Sequence, residues 1–372
     1  MYSKDQRIVA TLDAGGTNLV FGAMRANQFI IEPLTIPSQA HDLDLCLQEM
    51  VRGFQYVFDQ LEEKPVAISF AFPGPADYPN GIIGGYLPNF PSFRDGVALG
   101  PFLSKKFGVP VYINNDGDLY TYGEALCGVL PEINQRLKEA GSPKQFKNLV
   151  GYTLGTGLGV GIVVNNQLNL GDNSCVETFC LEHPTLRDII IEEGASIRAV
   201  CRVYGEEIGQ PDHGLTPKDI CMIADGEKEG NQAAAQKAFG RMGEVVGHAI
   251  STALTLIDGI VVIGGGVIGA KKWIMPSLLG VLSGQLQTLS GDAVNRIQPK
   301  VYDLDDAADF EKFVQGKVEQ IKVYGTDDEY VAYDCEKRTG VVISRMGASQ
   351  AISVGAYAYA LSELDKVNAA SK

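Results

Sequence analysis

The sequence predicts an α/β fold on three observations. Short apolar runs that read as strands alternate with longer runs of helical period. Two of the strands end in matched glycine turns and are followed at once by another apolar run: Thr11-Leu12-Asp13-Ala14-Gly15-Gly16-Thr17 and Tyr152-Thr153-Leu154-Gly155-Thr156-Gly157. At 372 residues the chain is long enough for two domains, each with its own core. One strand–turn–strand unit occurring twice points to two related lobes.

Residues 8–13 form the first strand, and the run 19–24 follows the turn as the second. Leu43, Leu47, Met50, Val51, Phe54, Val57, Phe58 and Leu61 recur at steps of three and four, as in an amphipathic helix on a sheet, with Cys46 on the buried stripe. Residues 66–72 and 109–114 read as strands that end at Pro73-Gly74-Pro75 and Asn115-Asp116-Gly117-Asp118. The rhythm restarts with strand 149–154, its glycine turn and the returning strand 161–164. A long helix over 231–256 follows, then a strand over 259–263 that leads into Gly264-Gly265-Gly266-Val267-Ile268-Gly269. Acidic and mixed polar residues 300–343 break the pattern as an insertion, read as a β-hairpin with a short helix. An Ala-rich apolar helix over 348–364 comes near the end. On this reading residues 1–118 with about 350–372 form the smaller lobe, and 119–349 form the larger lobe that carries the insertion.

Charge narrows the partners. With 31 basic and 45 acidic residues the net charge is −14, and the pI is about 4.8. That argues against a nucleic-acid binder, which needs concentrated Lys and Arg. It leaves nucleotides open, because backbone N–H groups can hold their phosphates. Seven cysteines, an odd number with no Cys-x-x-Cys pair, read as reduced thiols. The first residues are polar and show no signal peptide. The longest apolar stretch, 260–270, has 11 residues of which four are glycine, too few to span a bilayer. The expectation is a soluble cytoplasmic protein with no membrane partner.

The glycine turns carry the chemistry. Glycine permits positive φ and close approach of a ligand, and consecutive N–H groups form an anion nest, to which the Thr17 and Thr156 hydroxyls add donors. An ordinary hairpin turn explains one such feature; two matched turns favour phosphate sites. Asp13 stands immediately before the first nest, where a carboxylate repels phosphate unless a cation intervenes. Magnesium, which keeps most of its water and phosphate ligands, fits that position. Asp116 lies at the carboxyl end of a strand, where open α/β sheets place ligands. Phosphoryl transfer to an alcohol needs a base near the hydroxyl, metal on the phosphates and otherwise positioning. Asp116 suits the base and Asp13 the metal; Asp118 competes with Asp116, since spacing alone does not separate them. Gly264 to Gly269 fits Gly-x-Gly-x-x-Gly, but residues 270–291 contain no acidic residue that could follow it in a dinucleotide site. A turn that hosts an adenosine, or a tight strand–helix corner, fits better than NAD. Four scattered histidines and the cysteines show no zinc-ligand spacing.

These motifs, in this order, resemble the ROK family (repressor, open reading frame, kinase) of sugar kinases within the actin-like ATPase superfamily, whose two-lobed, ribonuclease H-like α/β fold holds its ligands in a cleft. Asp13-Ala-Gly-Gly-Thr-Asn18 resembles the first phosphate motif and Leu154-Gly-Thr-Gly-Leu-Gly159 the second. Ile263-Gly264-Gly265-Gly266-Val267 resembles the adenosine motif. Phe72-Pro-Gly74-Pro75, Leu87-Pro-Asn89-Phe-Pro and Asn115-Asp116 resemble the sugar region. The resemblance implies an ATP- and magnesium-dependent kinase of a hexose such as glucose, fructose, mannose or an N-acetylhexosamine. Asp13, Gly15, Gly16, Thr17, Asn18, Gly155, Thr156, Gly157, Gly264, Gly265 and Gly266 would hold ATP. Asp116 would deprotonate a sugar hydroxyl, usually the 6-hydroxyl, while Gly74, Asn89, Asn115 and Glu192 would line the sugar. Glu177 resembles the family's earlier sugar glutamate, with Glu182-His183 as a competing placement. The family's Cys-rich zinc segment is missing, so no zinc site is expected. No helix-turn-helix precedes residue 8, which argues against a repressor. Dimerisation is common in the family. A sugar sensor of the same fold with weak turnover is the alternative.

Overall fold

Strand Val9–Ala14 organises the first of two six-stranded sheets in the computed structural model, which describes residues 1–370. It pairs antiparallel with Asn18–Arg25 across the glycine turn, in the register Asp13 opposite Val20 and Ala14 opposite Leu19. On its other side it pairs parallel with Ala67–Ala71, which pairs parallel with Val111–Asn114. The registers Asp13–Ala71 and Ala71–Asn114 bring the carboxyl ends of all three strands to one edge. Short strands Gln28–Phe29 and Leu34–Pro37 both pair with Asn18–Arg25.

Helix Leu43–Asp59 buries Cys46, Met50, Phe54 and Val57, the stripe its period predicts. The Asp42 carboxylate caps it by accepting the Leu45 N–H at 3.0 Å. Phe54 packs edge-on against Phe21 with ring centroids 5.0 Å apart. Ala71, at the end of the central strand, packs with Leu119 of helix Asp116–Cys127 and Ala356 of helix Ala348–Ala370. Those two helices meet at glycines: a Cβ on Gly123 would strike the Ala351 carbonyl. The chain divides into two compact units, the first comprising Met1–Pro131, Gly161–Val176 and Met346–Lys372. The divisions therefore lie away from the expected break at 118, because Asp116–Cys127 is one continuous helix packed on the first sheet.

The second unit comprises Glu132–Val160 and Glu177–Arg345. In the second sheet Leu149–Leu154, Ile260–Gly264, Arg338–Ile343 and Lys300–Asp303 are successive parallel neighbours. Leu149–Leu154 continues through the second glycine turn into Leu158–Val164. Helix Gln232–Ile257, capped by the Asn231 side chain on the Ala234 N–H at 3.1 Å, packs along helix Lys271–Leu282. Gly243 permits this approach, since a Cβ there would strike the Ile274 carbonyl. The expected insertion 300–343 is narrower than its polar composition suggested: its first and last segments, Lys300–Asp303 and Arg338–Ile343, are strands of the main sheet. Between them lie helix Ala307–Gln315 and the hairpin Val318–Lys322/Tyr330–Asp334, the two elements expected. Buried Arg338 pairs with buried Asp334 at 2.6 Å at the base of this hairpin. Among the described residues no helix is long and apolar enough to cross a membrane.

Candidate active site

In the first unit three segments leave the same sheet edge: the glycine turn after Ala14, the segment after Ala71 and the Asn115-Asp116 corner after Asn114. The turn closes when the Gly15 N–H donates to the Asn18 carbonyl at 2.9 Å. Buried Ser38 braces it from outside: its hydroxyl donates to the Gly16 carbonyl at 2.6 Å and its N–H to the Thr17 carbonyl at 3.0 Å. A Cβ on Gly16 would lie 3.0 Å from both the Cβ and the carbonyl oxygen of Asn89. Glycine is needed there for close approach, and the backbone is ordinary: none of Gly15, Gly16, Gly155 and Gly157 has positive φ, contrary to that part of the expectation. Phe72, Phe90 and Phe93 interlock with centroids 4.6 to 5.8 Å apart and anchor the segments that carry Gly74 and Asn89. The Tyr78 hydroxyl donates to the Phe72 carbonyl at 2.9 Å and sits against Gly74.

The Asn115 side chain caps helix Asp116–Cys127 by accepting the Asp118 N–H at 2.6 Å. Asp116 thereby becomes the first helical residue and stays open to solvent, whereas Asp118 is 4% exposed. Water reaches the Asp116 carboxyl, yet protein surrounds it closely enough to push its pKa up to about 6, with the charge of Asp13 adding to the rise. Burial also raises Asp13, and no basic group offsets either shift. Two carboxyls with no basic partner, at the edge that carries the glycine turn, are a donor set suited to a hard divalent metal.

In the second unit the registers Ile263–Tyr152 and Gly264–Thr153 put turn 155–157 and Gly265 at one sheet edge. Gly265 has φ +99°, and a Cβ on it would strike the Leu154 carbonyl, so it forms a tight corner. Gly266 opens the short 3-10 turn Gly266–Ala270 and has open space where a side chain would be. Glu192 holds turn 155–157. One carboxylate oxygen accepts the Leu158 N–H at 3.0 Å and lies 2.7 Å from where a Gly157 Cβ would be; the other accepts from Arg198 at 3.1 Å. Arg198 also donates to the Thr156 carbonyl at 2.9 Å, and the Ile197 N–H to the Gly155 carbonyl at 2.9 Å. Half-buried Glu177 is pushed up to about 7 by burial, with Glu192 adding.

Three comparisons place this geometry. A sequence model described as the ROK family matches residues 9–179. A glucokinase crystal structure from Parabacteroides distasonis is 51% identical, with a TM-score of 0.90, over 97% of this chain and 99% of that chain. The chain belongs to the ROK family. A curated glucokinase of Thermotoga maritima is 28% identical over 161 residues, which cover 43% of this chain and 45% of that protein. A xylose repressor of Bacillus spizizenii is 30% identical over 125 residues, 34% of this chain and 28% of the repressor. The chain thus spans less than half the length of these two curated relatives.

Within this ROK chain, Asp13, Gly15, Gly16, Thr17, Asn18, Gly74, Asn89, Asn115 and Asp116 cluster at one edge of the first unit. Gly155, Thr156, Gly157, Gly264, Gly265 and Glu192 cluster at one edge of the second, with Glu177 near enough to Glu192 to feel its charge. The competing pair is engaged elsewhere. His183 is buried, its Nδ1 accepts the N–H groups of Thr185 and Leu186, each at 3.2 Å, and its Nε2 packs on Gly194. Glu182 accepts the Asp188 N–H at 3.2 Å. Both therefore shape the turn over 182–190. Ser38 and Arg198, which brace the two glycine turns, escaped the sequence reading.

Proposed function

We propose that this ROK protein is an ATP-dependent sugar kinase that moves the γ-phosphoryl group of ATP to a hydroxyl of a hexose, the 6-hydroxyl by family resemblance. The observation that carries the reading is Asp116: a solvent-open carboxylate at a helix start, facing Asp13, with its pKa near 6. Such a group is ionised at neutral pH and still basic enough to accept a proton. As the sugar oxygen attacks the γ-phosphorus, Asp116 accepts the hydroxyl proton. The new O–P bond forms, the bond to the bridging oxygen breaks, and ADP leaves.

By family resemblance, Asn89 and Asn115 would hold the remaining sugar hydroxyls, and Glu177 would be a further sugar-binding group. The N–H groups of turns 15–17 and 155–157 would hold the phosphates, and the corner at Gly264, Gly265 and Gly266 the adenosine. Asp13 fits magnesium: it is an exposed carboxylate beside the first turn, and the described residues hold no group of three His, Cys, Asp or Glu that would make an all-protein metal cage. Bound there, magnesium would neutralise charge on the phosphates. The family resemblance and the identity to a known glucokinase support the reading. ADP release measured with magnesium, ATP and a panel of hexoses and N-acetylhexosamines tests it. One sugar turned over well above the rest identifies the acceptor; no turnover with ATP still bound favours a sugar sensor.

A further inference from the structure

We propose a second ligand site in the first unit, a cavity of about 910 Å³ that takes an uncharged polyhydroxylated molecule, a free sugar of one or two rings. Its walls are strands Val9–Ala14 and Asn18–Arg25, loop 29–33 and the first turns of helix Ala348–Ala370. Asp13 forms one end, but loop 29–33 and the helix start contribute nothing to the phosphate or sugar residues above, so the cavity is not a restatement of that site.

Its chemistry selects the ligand. The volume lies in the range of small-molecule sites. The polar lining consists of Thr11, Asp13, Glu32, Ser349, Gln350 and Ser353. No Lys, Arg or His is among the lining residues, and the carboxylates of Asp13 and Glu32 disfavour an anion that brings no cation with it. Thr11, only 4% exposed, contributes its side chain to the cavity wall. Phe29, Ile30 and Pro33 are among the apolar lining residues. Carboxylates and an amide that accept from hydroxyls, together with a half-exposed ring, complement a sugar, which carries O–H groups on its rim and C–H groups on its faces. Gly22 keeps the floor open; a Cβ there would approach the Phe29 ring at 3.1 Å. Because Asp13 lines one end, occupancy couples to the phosphate-binding turn. The site is therefore placed to report free sugar to the catalytic residues.

Hydrogen exchange on the intact protein localises the ligand without relying on turnover. The probes are D-glucose, maltose, spermidine and inorganic phosphate, each added alone. Glucose or maltose at ten times its Kd should slow exchange in the peptides covering 28–34 and 348–354 by about tenfold. Ser353→Phe, which fills the cavity, should abolish that protection and leave any protection around Asn89 intact. Thr11→Val, which keeps the shape, should weaken binding about fivefold. The proposal fails if neither sugar protects these peptides, if protection survives in both variants, or if only spermidine or phosphate protects. Absence of kinase turnover alongside protected 28–34 would count against the proposed reaction alone.

Discussion

Arg198 donates one guanidinium N–H to the Glu192 carboxylate at 3.1 Å and another to the Thr156 carbonyl at 2.9 Å. With the Leu158 N–H on the other Glu192 oxygen, the second glycine turn is braced from a helix 42 residues downstream. In Arg198→Ala the turn loses that brace. The KM for ATP should rise about fivefold, as for a lost hydrogen bond. Unfolding free energy should change by less than about 1 kcal/mol, because the ion pair is exposed. An unchanged KM would remove the turn from nucleotide binding.

Two adjacent glycines separate strain from function. Gly265 has φ +99° and abuts the Leu154 carbonyl, whereas Gly266 has room for a Cβ. Gly265→Ala should cost more than about 2 kcal/mol of stability, and Gly266→Ala less than about 1. Thermal unfolding of the pair checks this; equal losses would contradict the geometry.

Asp116 must be ionised to accept a proton, and burial with the Asp13 charge raises its pKa to about 6. The value of kcat/KM should therefore fall tenfold per pH unit below about 6 and level off above it. Glu177, raised to about 7, titrates nearby without being the base. Glu177→Gln should leave that acidic limb in place, and a limb that disappears with Glu177 would reassign it.

Metal dependence should divide by type. Removing magnesium should abolish turnover, and adding it back should restore it. A zinc-selective chelator should leave the melting temperature unchanged, since the described residues hold no group of three His, Cys, Asp or Glu. A drop in melting temperature would reveal a zinc that the arrangement of Cys175, Cys180 and His183 does not suggest.

Local pattern made much of this legible. The two strand–turn–strand units, the stripe Cys46, Met50, Phe54 and Val57, and the acidic corner after strand Val111–Asn114 follow from period and turn chemistry. What escaped depends on distant partners. Ser38 and Arg198 lie 22 and 42 residues from the carbonyls they hold, and no local pattern marks them. The difference in exposure between Asp116 and Asp118 depends on the cap: Asn115 accepts the Asp118 N–H, and Asp118 is 4% exposed while Asp116 is more open to solvent. His183 stood out for its neighbour Glu182, but its ring closes a turn. The polar edge strand Lys300–Asp303 resembled insertion because only one neighbour pairs with it.

The central claim is that Asp116 is the base of a phosphoryl transfer. The most direct measurement compares kcat and ATP affinity for the wild type, Asp116→Asn and Asp118→Asn on the best sugar. Asp116→Asn should lose at least about a hundredfold in kcat with ATP affinity nearly unchanged, and exceed any loss in Asp118→Asn. Near-normal turnover in Asp116→Asn would contradict the account.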